Sequence, residues 1–404
     1  MRVRTVFNKL LALQGAFVRH VDFLEDDTIA VGVVRRARSH RCPHGDFRTR
    51  ATYDKHSRDW RHLALGKWRV VLRGTSHRIA CPQHGVLNEA VPWAAPGSLF
   101  TLDFEALVAW LARQMNKTAV AALAKVSWPT VGTIIERFVA RTIDKKRLDD
   151  LFVIGLDEVS YRKGHKYLTV VANHATGVPV WMAEGRSQKT LGSFFDELGQ
   201  ERANQVAIVT MDMCAPYIAE VRARAPNASI AFDPFHVVKL GNEAVHEVRR
   251  TEARERKGTS HAAVLKDSRW VLLKAPETLR PDEAIKLSDV ATLNRRVYRA
   301  YLLKEELRAL YRCGVKAAEI HLTAWLAWAS RSRLAPFVKL ARTLRKYRKG
   351  ILAAIELGVS NGRLEGINNK IAVIKHRAYG FHSSAALIAM IFLCCSAIPV
   401  DLPI

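Results

Sequence analysis

The chain has 404 residues and a net charge of +25, with 63 Lys and Arg against 38 Asp and Glu, an excess spread along most of its length. A field of that size concentrates nucleic acid without specifying a fold, and it suits a polyanion better than a membrane, since no segment reaches the roughly 18 to 20 continuous apolar residues that span a bilayer. Six unevenly spaced cysteines do not make a disulfide framework, and the apolar stretch 10–18, interrupted by Gln14, lacks the cleavage site of a signal peptide, so a cytoplasmic protein is expected.

Residues 1–98 read as an N-terminal DNA-binding module. Cys42-Pro-His44-Gly45 and Cys81-Pro-Gln-His84-Gly85 are two Cys/His knuckles joined by strand-like sequence, the layout of a zinc ribbon, where one tetrahedral metal replaces a hydrophobic core. A regular knuckle places its second ligand at position 45, where this chain has Gly. Cys42, His44, Cys81 and His84 are then the set available for structural Zn²⁺, against a ribbon that has lost its metal. Residues 99–148 turn helical, with helices expected over 104–112, 118–125 and 128–139. Ser127 suits an N-cap and Pro129 the first turn that follows it. Two short helices joined this tightly predict a helix-turn-helix, with an ordinary helical hairpin as the alternative.

Residues 149–240 have the pattern of the first part of an α/β catalytic domain. Strands are expected to end at Asp157, at Asn173 and at Glu184, separated by Gly-containing turns. A helix over 190–202, a strand ending at Asp212, a helix over 215–224 and a short strand at 229–233 follow. That order is the order of a ribonuclease-H-like domain, whose first and fourth strands are neighbours. Strand alternation sends Asp157 and Glu158 to opposite faces, and Asp157 is preferred because, like Asp212, it closes an apolar run. Residues 241–357 read as a helical insertion, with Trp270, Trp325 and Trp328 assigned to its core. Its stretch 331–349 holds eight basic residues and no acidic one, a one-sided charge suited to phosphate contacts.

Residues 358–404 are expected to return as closing helices of the catalytic domain. Asn361, Glu365 and Asn368 or Asn369 are spaced to share a helix face. Acids at the ends of two adjacent strands, joined by a third from a helix across the sheet end, make a cage for two divalent cations that clamp the attacking and leaving oxygens of a phosphodiester. Asp157, Asp212 and Glu365 are that triad, and Mg²⁺ (or Mn²⁺) suits an all-oxygen cage that also uses substrate phosphates. Arg342, Arg345, Lys346, Arg348, Lys349, Asn361, Arg363, Lys375 and Arg377 are the expected DNA contacts. Asp233 and His236 lie near the presumed site, as auxiliary metal or DNA contacts or as a structural turn.

Gly155-Leu-Asp157-Glu158, Met211-Asp212, Phe232-Asp-Pro-Phe-His-Val237, Ser360-Asn-Gly-Arg-Leu-Glu365-Gly-Ile-Asn368 and Arg377-Ala-Tyr-Gly-Phe381 resemble the DDE transposases of the ISL-three family of bacterial insertion sequences, over nearly the whole chain. The resemblance implies metal-dependent cleavage of double-stranded DNA at the element ends and joining to target DNA. It also implies a homo-oligomer in a synaptic complex, and terminal inverted repeats read by the ribbon and the helix-turn-helix. A domesticated derivative acting as a DNA-binding regulator and a nuclease without strand transfer are the competing readings.

Overall fold

Strand alternation and turn residues organise the N-terminal sheet. In the computed structural model, which describes residues 2–162, 164–378 and 381–402, the chain divides into two units, 1–144 with 374–404 and 145–373. The first opens with helix α1 (Val3–Leu11) and the hairpin β1 (Ala16–Leu24) and β2 (Thr28–Arg35). The short pair β3 (His40–Arg41) and β4 (Arg48–Thr49) follows, then β5 (Asp54–Arg61), β6 (Arg69–Cys81) and β7 (Gly85–Asn88). The strands align as β1-β2-β6-β5 with β7 on β6. Phe7, Val18, Ile29, Val31, Trp60, Leu72 and Trp93 pack into one core, while the knuckle has its own small cluster of Cys42, Ile79 and Cys81.

Three capped helices come next. Thr101 caps α2 (Leu102–Gln114), Asn116 caps α3 (Lys117–Ala124) and Ser127 caps α4 (Trp128–Thr142), each side chain accepting the backbone N–H three residues on. Helix α3 ends on Lys125 in the left-handed region, φ 50°, and the axes of α3 and α4 turn through 98°. Both helices form where the sequence places them. Gly132 lets the buried Lys117 side chain cross α4, since a Cβ there would lie 2.8 Å from its Nζ; that ammonium instead sits 3.7 Å from the Trp128 ring centroid. The last helix, α17 (Ser384–Cys395), packs on α4 and α2. It lies in the first unit, whereas the sequence reading expects it among the closing helices of the catalytic domain.

The second unit carries β8 (Val153–Arg162), β9 (Lys166–Asn173), β10 (Val178–Glu184), α5 (Gln188–Leu198), α6 (Gln200–Ala203), β11 (Ile208–Met211), α7 (Ala215–Arg224) and β12 (Ser229–Phe232). The sheet order is β10-β9-β8-β11-β12. Its first three strands are antiparallel, whereas β11 runs parallel to both β8 and β12. The parallel register pairs Thr210 with Gly155, so Asp157 and Asp212, each two residues further on, lie at the same level. Strand β8 does not end there as expected but continues through Asp157 to Arg162, because β9 goes on pairing with it, whereas Asp212 follows the end of β11. A helical stretch follows: α8 (Pro234–Glu255), α9 (Ser260–Asp267), α10 (Arg269–Leu273), α11 (Pro281–Leu293), α12 (Arg295–Ala309), α13 (Val315–Arg331), α14 (Ala335–Lys346) and α15 (Arg348–Glu356). Trp325 lies in its core, 2% exposed, and Trp328 packs against that core. Trp270 does not: it is 65% exposed, because the five-residue α10 turns Val271 and Leu272 inward in its place.

Helix α16 (Gly362–Arg377) then returns over the sheet. Gly155 makes that approach possible, since a Cβ there would lie 2.4 Å from Leu364 Cδ1, and Leu364 is itself 1% exposed. In the motif 377–381, Tyr379 and Gly380 lie outside the described residues, as does Lys163 in the turn after β8.

Candidate active site

Each acidic group of the site is delivered by an element that the sequence pattern makes rigid. Asp157 is a β8 residue held from two directions, Oδ1 accepting the Glu158 N–H at 2.7 Å and Oδ2 accepting Asn368 Nδ2 at 2.5 Å. Burial raises its pKa above the ordinary carboxylate value, and the Asp212 charge adds to that, against the two hydrogen bonds and the charge of His236. Glu158 is raised first by burial, with Arg186 opposing and Asp212 and Asp157 reinforcing. Two acids whose charges are mutually unfavourable are what a divalent cation neutralises.

Asp212 follows β11 and meets His236 in the first turn of α8, the imidazole Nδ1 in direct contact with Asp212 Oδ1 and 3.7 Å from Asp233 Oδ2. Burial opposes charge on His236, but its bond to Asp212 and the charges of Asp212, Asp233 and Asp157 outweigh that and raise its pKa. Asp233 is 6% exposed and raised by burial. Its Oδ1 accepts the Asn361 N–H at 3.2 Å, and Asn361 Nδ2 donates to the Leu156 carbonyl at 3.4 Å. The sequence pointed to Asp233 and His236 only by proximity; the structure brings both to Asp212.

Glu365 occupies the first turn of α16, exposed, one turn before Asn368. It does not join the group of Asp212, Asp233 and His236 whose ligand atoms lie within 4.8 Å of one another. The cradle fits a hard cation nonetheless: beside the carboxylates, Asn361 Oδ1 and Asn368 Oδ1 are buried oxygens without a hydrogen-bond partner.

The N-terminal knuckle is only partly as expected. Cys42 Sγ and Cys81 Sγ lie 3.5 and 3.4 Å from His84 Nδ1, and these three form a metal-sized cluster. Burial works against a Cys81 thiolate, but hydrogen bonds with His84, the backbone of Gln83 and His84, and Cys42 bring its pKa down to about 7. His44 lies apart from these three. It is exposed, donates only its backbone N–H to Cys42 Sγ, and keeps its ring centroid 5.6 Å from that of His84, because two residues of spacing leave no turn to swing it inward.

Among the expected DNA contacts, Arg342, Arg345, Lys346 and Lys349 are exposed, with Arg345 on Ser330 Oγ and Lys346 over the Tyr347 ring. Arg348 pairs with Glu319, and Lys375 has a partner of its own. Three others serve the fold. Arg363 donates to the His174 and Ala175 carbonyls, Arg377 to those of Ala112 and Arg113 at the end of α2, and Asn361 braces Asp233.

An acid within β8, a second just past the end of the neighbouring β11, and a helix-turn-helix elsewhere in the same chain are the features of the DDE transposases. Residues 154–391 match the transposase model of the ISL3 family, and residues 89–139 match the helix-turn-helix domain of the same family. The transposase for insertion sequence element IS1557 of Mycobacterium tuberculosis is 39% identical, covering 97% of this chain and 96% of its own. The transposase for insertion sequence element IS1001 of Bordetella parapertussis is 30% identical over 94% and 95%. The chain belongs to the ISL3 family of transposases.

Proposed function

We propose that the protein binds the terminal inverted repeats of an insertion sequence and catalyses divalent-metal-dependent cleavage at the element ends, followed by strand transfer into target DNA. The observation that carries this reading is the level placement of Asp157 and Asp212 on adjacent parallel strands, with Asn368 of α16 bonded to Asp157. In this reading the sheet is a ribonuclease-H-like domain, α8–α15 is an insertion within it, and residues 1–98 form a ribbon that takes Zn²⁺ through Cys42, Cys81 and His84.

Asp157, Asp212 and Glu365 would hold two Mg²⁺ or Mn²⁺ ions. Bound there, the ions supply an activated water and neutralise the charge that develops on the leaving 3′ oxygen. The chain's own groups set the geometry. Asn368 fixes the rotamer of Asp157, His236, flanked by Asp233, fixes Asp212, and Leu364 seated on Gly155 sets the height of α16 and so of Glu365. The freed 3′-OH is the nucleophile for joining, so no covalent protein intermediate is required. Two element ends must be held together, which calls for a homo-oligomer on double-stranded DNA, with Arg342, Arg345, Lys346 and Lys349 on the phosphates.

The test uses a duplex carrying the element's terminal repeat and flank, with and without Mg²⁺. Nicks at the repeat boundary and joined products are expected from the wild-type protein, and none from Asp157→Asn or Glu365→Gln, both of which still bind DNA. Binding without cleavage by the wild-type protein would refute the enzymatic reading.

A further inference from the structure

Helix α8 starts at the acid cluster and runs away from it. One of its faces carries Lys239, His246, Arg250 and Arg254 along a groove of about 520 Å³ whose far wall is Arg269 and Leu273 of α10. From Lys239 to Arg254 the helix advances about 22 Å, the length of about six phosphates along one strand of duplex. Several other cations of this helical region are paired with acids: Arg256 and Arg296 with Glu252, Lys274 with Glu283, Arg308 and Arg312 with Glu277. Among the described residues, Lys239, Arg250, Arg254 and Arg269 have no such partner. The acids beside them, Glu243 and Glu247, also line the adjoining groove that Lys339 of α14 enters. Burial and the charges of Arg249, Arg269 and Arg250 push the His246 pKa down, which leaves the groove net positive through its arginines and lysine.

Trp270 lies on α10 between Arg269 and Leu273, the two residues of that helix that line the groove. It is 65% exposed, with the Arg269 guanidinium 4.8 Å from its ring centroid. Leaving that much indole in water forgoes a large burial gain, and a cation stacked on a free aromatic face beside unpaired arginines is the arrangement that captures an unpaired base. We propose that the α8–α10 groove tracks the backbone of DNA leaving the active site and that Trp270 stacks on an unpaired base there. The proposal rests on the DNA-cleavage reading above and adds a second, non-catalytic nucleic-acid subsite.

Full-length protein would be titrated, by fluorescence anisotropy, into a blunt duplex and into the same duplex with a short oligo-dT overhang. Trp270→Ala is expected to weaken the overhang complex by about tenfold while leaving the blunt complex unchanged, and Trp270→Phe to retain most of the overhang affinity. Arg250→Glu with Arg254→Glu should weaken both complexes and flatten their salt dependence. Equal effects of Trp270→Ala on the two probes would overturn the stacking role, as would a change in sedimentation with DNA binding intact, which would mark a protein interface instead. Failure of the wild-type protein to bind either probe would fell the DNA-cleavage reading itself.

Discussion

Gly155→Ala is the sharpest test of how the site is built, because it adds one methyl group at the point where α16 rests on β8. That methyl would lie 2.4 and 2.9 Å from the two δ-carbons of Leu364 and 3.2 Å from its Cγ. Leu364 has no free space to retreat into at 1% exposure, so it must leave its rotamer or lift the helix, an overpacking cost of about 1–3 kcal/mol. Leu364→Ala alone loses a buried side chain, about 2–5 kcal/mol. Combined, the new methyl occupies part of the vacated space, so the double variant should be less destabilised than the sum of the singles by about 1–3 kcal/mol. Hydrogen exchange at β8 and α16 amides reads this locally, without assuming that the two units unfold together. The functional counterpart is larger: a helix raised by about 1 Å misplaces Glu365 and Asn368, and end cleavage by Gly155→Ala should fall by up to about 10²-fold, with partial recovery in the double variant. Additive free energies would show that Leu364 is not seated on Gly155 and would remove the steric account of the site.

Three further outcomes follow from groups outside that contact. Glu105 is fully buried and binds Ser98 Oγ, Arg137 and Arg141; Glu105→Ala, which leaves two half-wet guanidiniums without their anion, should cost about 2–3 kcal/mol of helix-turn-helix stability by thermal denaturation. Glu277 is held at a pKa of about 2 by Arg308 first and then by a backbone hydrogen bond and Arg312, so its stabilisation is full above its ordinary 4.5 and is lost as pH falls toward 2; Glu277→Gln should flatten the acid limb of a stability–pH curve. At position 45 an added Cβ would lie 3.5 Å from His84 Cε1, so Gly45→Cys should supply a fourth ligand and slow zinc loss to a chromogenic chelator relative to wild type.

The parts of the structure legible in the sequence were those whose signals are local. The cap Ser127 marked the second helix of the helix-turn-helix, since it acts within three residues of itself, whereas Asn116, which caps the first, was not singled out. Apolar runs ending in Asp marked β8 and β11, although β8 continues past Asp157 to Arg162 on its partner β9, and parallel pairing of the two runs brings their acids to one level. Trp270 was misassigned because aromatic residues are usually buried, and the five residues of α10 cannot turn every apolar side chain inward. His44 entered the available set only because Gly45 stands where a regular knuckle has its second ligand, and the direction of its side chain depends on the turn between β3 and β4, which spacing does not reveal. Arg363 and Arg377 looked like part of a charged surface, whereas backbone carbonyls brought near by the fold claimed them.

The contact between His236 and Asp212 shows why charge and proximity in sequence do not reveal a site's full membership. The sequence separates the two by a helix, a turn and a strand, and nothing in their spacing fixes the direction of either side chain. Parallel pairing of β11 with β12 supplies that direction: it carries Met211 opposite Phe232, so the residues after the two strands, Asp212 and Asp233, emerge together and the first turn of α8 places His236 between them. A histidine there keeps Asp212 from turning away and offers it a cation whenever the divalent ions are absent. His236→Asn should therefore retain a hydrogen bond to Asp212 while losing the charge. If His236 acts by orientation, cleavage in saturating Mg²⁺ will be nearly normal and that of His236→Ala will not; equal defects in both variants would show that the charge matters.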